Sequence, residues 1–182
     1  SGNTGVGKDA LKAITTGGNN TAVGAYAGDA LAGGGLNVLI GDGAGSTTTA
    51  GLNMVAVGNE SLNGLATTAA IGTVAVGYKS LNALTSGARN LAVGYKAADS
   101  LTTSSDNIAI GFQAFETATT NASGNIVIGN YALDSLTAGE TVTNNVAIGN
   151  NALGSCTTAD GNIAIGNVAG ASVTTGSNGG MV

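Results

Sequence analysis

Short apolar triplets recur along this chain, and each ends in Val or Ile followed by glycine. The anchoring glycines are Gly7, Gly24, Gly41, Gly58, Gly77, Gly94, Gly111, Gly129, Gly149 and Gly166. Their successive spacings are 17, 17, 17, 19, 17, 17, 18, 20 and 17 residues. Other positions keep the same phase. Asn stands four places before the glycine in eight repeats: Asn3, Asn20, Asn37, Asn90, Asn107, Asn125, Asn145 and Asn162. Three places after it come eight Ala and two Ser (Ser61, Ser80). Seven places after it nine of ten residues are apolar, among them Leu31, Leu65, Leu84, Leu101 and Leu136. Thr recurs eight places after it, as at Thr15, Thr49, Thr85, Thr102, Thr119 and Thr174.

A period near 17 is too short for paired-helix repeats, which run about 33 residues or more, and it carries no heptad. Segments such as Ile108-Ala109-Ile110 and Val146-Ala147-Ile148 are short and rich in β-branched residues, which suits strands. The following glycine turns the chain without a Cβ penalty. Stretches such as Asn151-Ala152-Leu153 then predict a second short strand before a Thr/Gly/Asn turn. The result is an all-β parallel solenoid, a β-roll of about ten coils stacked at roughly 4.8 Å, or on the order of 48 Å in all. The longer spacings put extra residues into turns, around Thr67–Thr73 and Ala138–Asn144, where insertions cost little. In such a stack the Asn column predicts side-chain amides bonded coil to coil. The Thr column predicts outward hydroxyls, and the Ala column predicts close backbone approach.

Along a strand, side chains alternate between faces. The positions three and one before the glycine are mostly Ile or Val, and the one between is Ala in seven coils (Ala22, Ala56, Ala75, Ala92, Ala109, Ala147, Ala164). A run that is apolar on both faces predicts burial on both. The expectation is that Ile and Val fill the coil while the Ala face packs on a neighbouring chain in a symmetric homo-oligomer.

Composition changes the picture mainly by exclusion. Charged residues are 8%, aromatics 3% and apolar residues 43%, with 32 glycines and no proline. That is too apolar for a disordered chain, and it lacks the period and the proline of collagen. A net charge of −5 without a basic stripe argues against nucleic acid. No apolar run nears the roughly 18 residues of a membrane span. The single Cys156 rules out an internal disulfide. The chain opens Ser1-Gly2-Asn3 with no leader, and Asn178 and Met181-Val182 fall where a further coil's Asn and strand would begin. Residues 1–182 therefore predict one repetitive segment of a longer fibre, open at both ends.

The phrases Asn20-Thr21-Ala22-Val23-Gly24-Ala25-Tyr26-Ala27-Gly28 and Asn162-Ile163-Ala164-Ile165-Gly166-Asn167 resemble the head repeats of trimeric autotransporter adhesins. They are still more similar to repeats of phage tail fibres and related bacterial surface proteins. The resemblance spans essentially the whole chain. It implies a homotrimer of left-handed β-rolls, located outside the cell on a bacterial surface or a virion, that projects or contributes to attachment to a host receptor. The sparse chemistry of the residues themselves gives the further expectation of no enzyme activity and no cofactor.

Candidate chemistry is sparse. There is no histidine to serve general acid–base or nucleophilic catalysis. Cys156 occupies the apolar slot seven places after a glycine, so it reads as core. Asp29, Asp99 and Asp134 share one slot, but in non-adjacent coils, which separates them too widely for a glycosidase pair. Scattered Asp residues likewise predict no calcium or other metal site. One column stands out. Tyr78, Tyr95 and Phe112 follow the anchor glycine in consecutive coils, and Lys79, Lys96 and Gln113 come next. Such a column can bind glycans through ring faces and amines, or can simply stack on itself. A polysaccharide-acting solenoid enzyme and an ice-binding hydroxyl array are the alternative functions. Adjacent pairs such as Thr102-Thr103 and Thr119-Thr120 face opposite ways and count against the second.

Overall fold

The computed structural model describes residues 2–64, 70–118, 120–136 and 141–181. Leu65, residues 67–69, Thr119, residues 138–140 and Val182, on which some of these expectations fall, lie outside the described residues. Eleven strands of two or three residues, from Thr4–Val6 to Gly180–Met181, form one parallel sheet in which each pairs with its neighbour in the series. Register follows the repeat: Val74 faces Leu91, Ala75 faces Ala92 and Val76 faces Val93. There is no helix among the described residues. This is the parallel solenoid that the glycine spacing predicts. The longer spacings are absorbed before Thr73 and Asn145, since Val55 pairs with Val74 and Ile126 with Val146.

The predicted second strand is absent after the anchor glycine; consecutive tight turns run there instead. In the coil of Gly94, Ala97 N–H donates to the Gly94 carbonyl (3.4 Å), Asp99 to Lys96 (3.3 Å) and Leu101 to Ala98 (3.1 Å). Lys96 and Ala98 have φ of 54° and 52°, the type II pattern, which a strand cannot contain. Each such non-glycine residue costs about 1–2 kcal/mol. Inter-coil bonds offset that cost: Lys96 N–H reaches back to the Tyr78 carbonyl (2.8 Å), and Ala98 N–H reaches on to Ala114 (3.0 Å). Alternating φ thus sends successive amides to opposite neighbours. Among the described residues a second, three-stranded sheet is formed late in the chain by Val142–Thr143, Thr158–Asp160 and Thr175–Ser177.

The two faces of the main sheet are the reverse of the expectation. The central Ala residues, including Ala22, Ala56, Ala75, Ala92, Ala109, Ala147 and Ala164, are buried inside the coil. Ile and Val on either side point outward, and Val23, Ile40, Ile126, Ile163 and Ile165 are among the exposed apolar residues. The physical reason is space. A coil of one three-residue strand and a run of turns is narrow, and its interior is already filled from the turn side by Leu62, Leu81, Leu133 and Leu153, all fully buried. Leu39 tests this explanation, because it replaces Ala in the strand where Gly28 and Gly45 replace Leu in the turn. A Cβ on Gly28 would lie 2.6 Å from Leu39 Cδ1, so the leucine fills the volume those glycines leave.

The Asn column forms a ladder along one corner. Asn107 accepts at Oδ1 from the backbone N–H and the side-chain amide of Asn125 (3.0 and 3.1 Å), and it donates to Asn90 Oδ1 (3.0 Å). Buried polar groups demand such satisfaction. Met54 and Thr73 interrupt the ladder. Met54 still donates its N–H to Asn37 Oδ1 (2.9 Å), but Thr73 Oγ1 is buried with no partner. At the far end Gly179, not Asn178, takes the ladder position, its N–H donating to Asn162 Oδ1 (3.0 Å). Asn178 sits one place earlier, at φ 60°, in a left-handed column shared with Asn19, Asn53, Asp106 and Asn144.

Candidate functional site

The corner after each anchor glycine presents the next two side chains outward. The glycine itself has φ near 130–140°, and at Gly58 an added Cβ would meet the Gly77 carbonyl oxygen at 2.5 Å. Coils therefore approach closely here, and rings in this column must stack. Tyr78 and Tyr95 do so at 5.1 Å between centroids and 24° between planes, and Tyr95 and Phe112 at 5.0 Å and 7°. Tyr131, one residue later in its own coil, closes the stack edge-on against Phe112 at 5.3 Å. Scanning only the position after the glycine misses Tyr131.

The amines beside the stack are already engaged. Lys79 pairs with Glu60 at 3.3 Å and lies 5.5 Å from the centre of the Tyr78 ring. Lys96 binds Glu116 at 2.9 Å and approaches Asp99 at 3.8 Å, while Gln113 donates to the other Glu116 oxygen. The faces of Tyr95 are covered by neighbouring rings, so at this ring a glycan has only edges to meet. This column reads as a self-stacking ladder, each pair worth about 0.5–1.5 kcal/mol beyond burial.

Glu116 joins the slot of Asp99 and Asp134, making three carboxylates in consecutive coils; aligning only Asp residues overlooks it. Asp99 Oδ1 and Asp134 Oδ1 are buried without partners. Burial, then the Glu116 charge, pushes Asp134 up to about 6. Burial also raises Asp99. No group of three or more ligating side chains suits a metal among the described residues.

In the Thr column Thr15, Thr49 and Thr174 are exposed and Thr85, Thr102 and Thr157 half-buried, and hydroxyls there bond along the stack. Thr15, Thr85 and Thr157 donate to the carbonyls of Ala32, Thr102 and Thr174 in the next coil, each at 3.0 Å. The carbonyl one coil on is the nearest acceptor, so stacking captures the hydroxyl. Cys156 is buried, its thiol raised by that burial and its Sγ 3.2 Å from the Thr158 carbonyl oxygen.

A concave feature that the sequence does not signal lies on the coils of Gly24, Gly41 and Gly58. It is a groove of about 540 Å³ whose lining includes Tyr26, Gly43 and Glu60. Asp29, Asp42, Thr47 and Asn63 complete its polar wall. Compared with protein-family models, with curated proteins and with solved structures, the chain matches none.

Proposed function

We propose that this chain is a structural segment of an extracellular homotrimeric fibre that projects, or contributes to, attachment at a host surface. The observation that carries the reading is the double row of Val and Ile side chains running along the outer face of the parallel sheet. Parallel sheets are ordinarily covered on both faces, and a continuous exposed apolar stripe marks an interaction surface. A second and third copy of the same stripe cover it under closed three-fold symmetry. Three copies, the extracellular setting and attachment rest on the resemblance of the Asn-x-Ala-Val/Ile-Gly repeats to adhesin heads and tail fibres. The reading assigns no reaction and no cofactor. In its favour, Glu116, the middle carboxylate of the Asp99–Asp134 series, is held by Lys96 and Gln113.

The test is the solution mass. Wild type should sediment at three times 17.2 kDa. Ile110→Glu, on the outward row, should dissociate it into folded monomers, whereas Ala109→Glu, inside the coil, should unfold the chain. A monomeric wild type, or an Ile110→Glu trimer, overturns the reading.

A further inference from the structure

Every ring in the Tyr78–Tyr131 stack is capped by another, but Tyr26 is not. It occupies the slot two places after its anchor glycine, where the next coil has Gly43 and the one beyond has Glu60. On the Gly7-coil side Lys8 reaches the hydroxyl end of the ring: its Nζ donates to the Tyr26 hydroxyl at 2.6 Å and lies 5.0 Å from the ring centre. In the next coil Gly43 supplies no side chain to this slot, and Tyr26 and Gly43 both line the groove. An open aromatic face beside polar groups of fixed direction is what binds the apolar face of a sugar ring and hydrogen-bonds its hydroxyls.

The polar lining narrows the ligand. Glu60 is held by Lys79 at 3.3 Å, leaving Asp29 and Asp42 as carboxylates with no described partner. Asn59 and Asn63 already donate to or accept from neighbouring coils: Asn59 Nδ2 donates to the Asp42 carbonyl at 3.0 Å, and Asn63 receives the Ser46 and Thr47 hydroxyls. Two free carboxylates are strong acceptors for paired sugar hydroxyls and repel anions. No basic residue lines the groove. Its volume falls within the roughly 300–1,000 Å³ of small-ligand sites.

We propose that this groove is a saccharide-binding site for pyranosides without acidic groups. The ring stacks on Tyr26 over Gly43, and Asp29 and Asp42 take the hydroxyl protons as hydrogen-bond acceptors. The proposal rests on the attachment reading, to which it adds a place and a ligand class, but it needs neither the trimer nor the Val and Ile stripe.

The decisive variant is Gly43→Tyr. The same slot, at the same left-handed φ, holds Tyr131 in another coil, and an added Cβ at Gly43 meets nothing closer than Glu60 Cγ at 3.6 Å. The new ring should therefore stack on Tyr26, keep the fold and close the groove. Saturation-transfer NMR and a printed array should be run with neutral hexose and free-amine oligosaccharides beside their sialylated and uronic counterparts. Wild type should bind members of the first set and none of the second, and Gly43→Tyr and Tyr26→Ala should each weaken binding by at least about tenfold with unchanged circular dichroism. Binding of acidic sugars alone, no saccharide binding at all, or undiminished binding by folded Gly43→Tyr overturns the proposal. Those outcomes are read against the sedimentation mass: a trimer that binds no sugar sinks the groove alone, and a monomer sinks the fibre reading.

Discussion

The coils of Gly24, Gly41 and Gly58 and those of Gly77, Gly94, Gly111 and Gly129 share one backbone path but fill the same slots to opposite ends. In the later coils, rings stack on rings, Asp99, Glu116 and Asp134 line up with Lys96, and Asn succeeds Asn from Asn90 onward. In the earlier coils, Gly43 leaves Tyr26 with an open face, Leu39 swaps places with its turn partners, and the Asn ladder stops at Met54. A column that repeats its side chain bonds to itself and offers little to a ligand. A column that breaks its repeat leaves both a vacancy and unspent hydrogen-bonding capacity.

The largest way to break this contrast is Asn107→Ala in the regular half. It leaves the Asn125 N–H without an acceptor in a buried corner and removes one bond each from the Asn125 amide, which keeps the Val142 carbonyl, and from Asn90 Oδ1, which keeps the residue-107 N–H, and should cost about 2 kcal/mol. Thermal or denaturant unfolding measures this; a loss under about 1 kcal/mol would mean that water serves the column as well as asparagine does.

Asp134→Asn follows. A carboxyl raised to about 6 binds its proton more tightly folded than unfolded, so its contribution to stability is full below pH 4 and is lost as pH rises through 6. Above pH 6 the wild type therefore carries a penalty of about 1 kcal/mol, allowing for the screening of a half-exposed group. The amide keeps an acceptor for the Glu116 and Thr117 backbone without the charge. Melting temperatures between pH 4 and 7 should fall less in Asp134→Asn than in wild type, and parallel curves would rule the effect out.

Thr73→Asn is the smallest change and works in the other direction, carrying the ladder back into the irregular half. It replaces a partnerless buried hydroxyl with a side chain that can serve Asn90, and should add about 1 kcal/mol. Destabilisation would show that Thr73 is fitted to the interruption at Met54.

The period, the parallel register and the Asn ladder are legible in the residues because each is a translational repeat, and identical slots must stack. Direction within the coil is not legible. Ile-Ala-Ile is apolar on both faces, so hydrophobicity alone is blind to which face turns in; side-chain size decides, and the narrow coil selects Ala. Turns such as Asn151-Ala152-Leu153 pass for strands because non-glycine residues there adopt positive φ. The signal was present in sister coils, where Gly28, Gly43, Gly45 and Gly170 occupy the same slots. Of the aromatic column, three rings can be read from the glycine spacing, while Tyr131 requires the turn geometry. The groove arises from a missing side chain, Gly43, which in a chain with 32 glycines carries no mark of its own.

One mechanical consequence follows from the sheet and ladder hydrogen bonds, which run from coil to coil. Tension applied at the two ends of the solenoid loads those bonds in series, so the assembly yields at its weakest junction and peels one coil at a time. A coil of 17 residues occupies about 4.8 Å of the stack but pays out roughly 56–61 Å of chain when drawn straight. Each junction is thus a small extensible link, and a stretch of ten can lengthen by about an order of magnitude while the coils not yet peeled remain stacked.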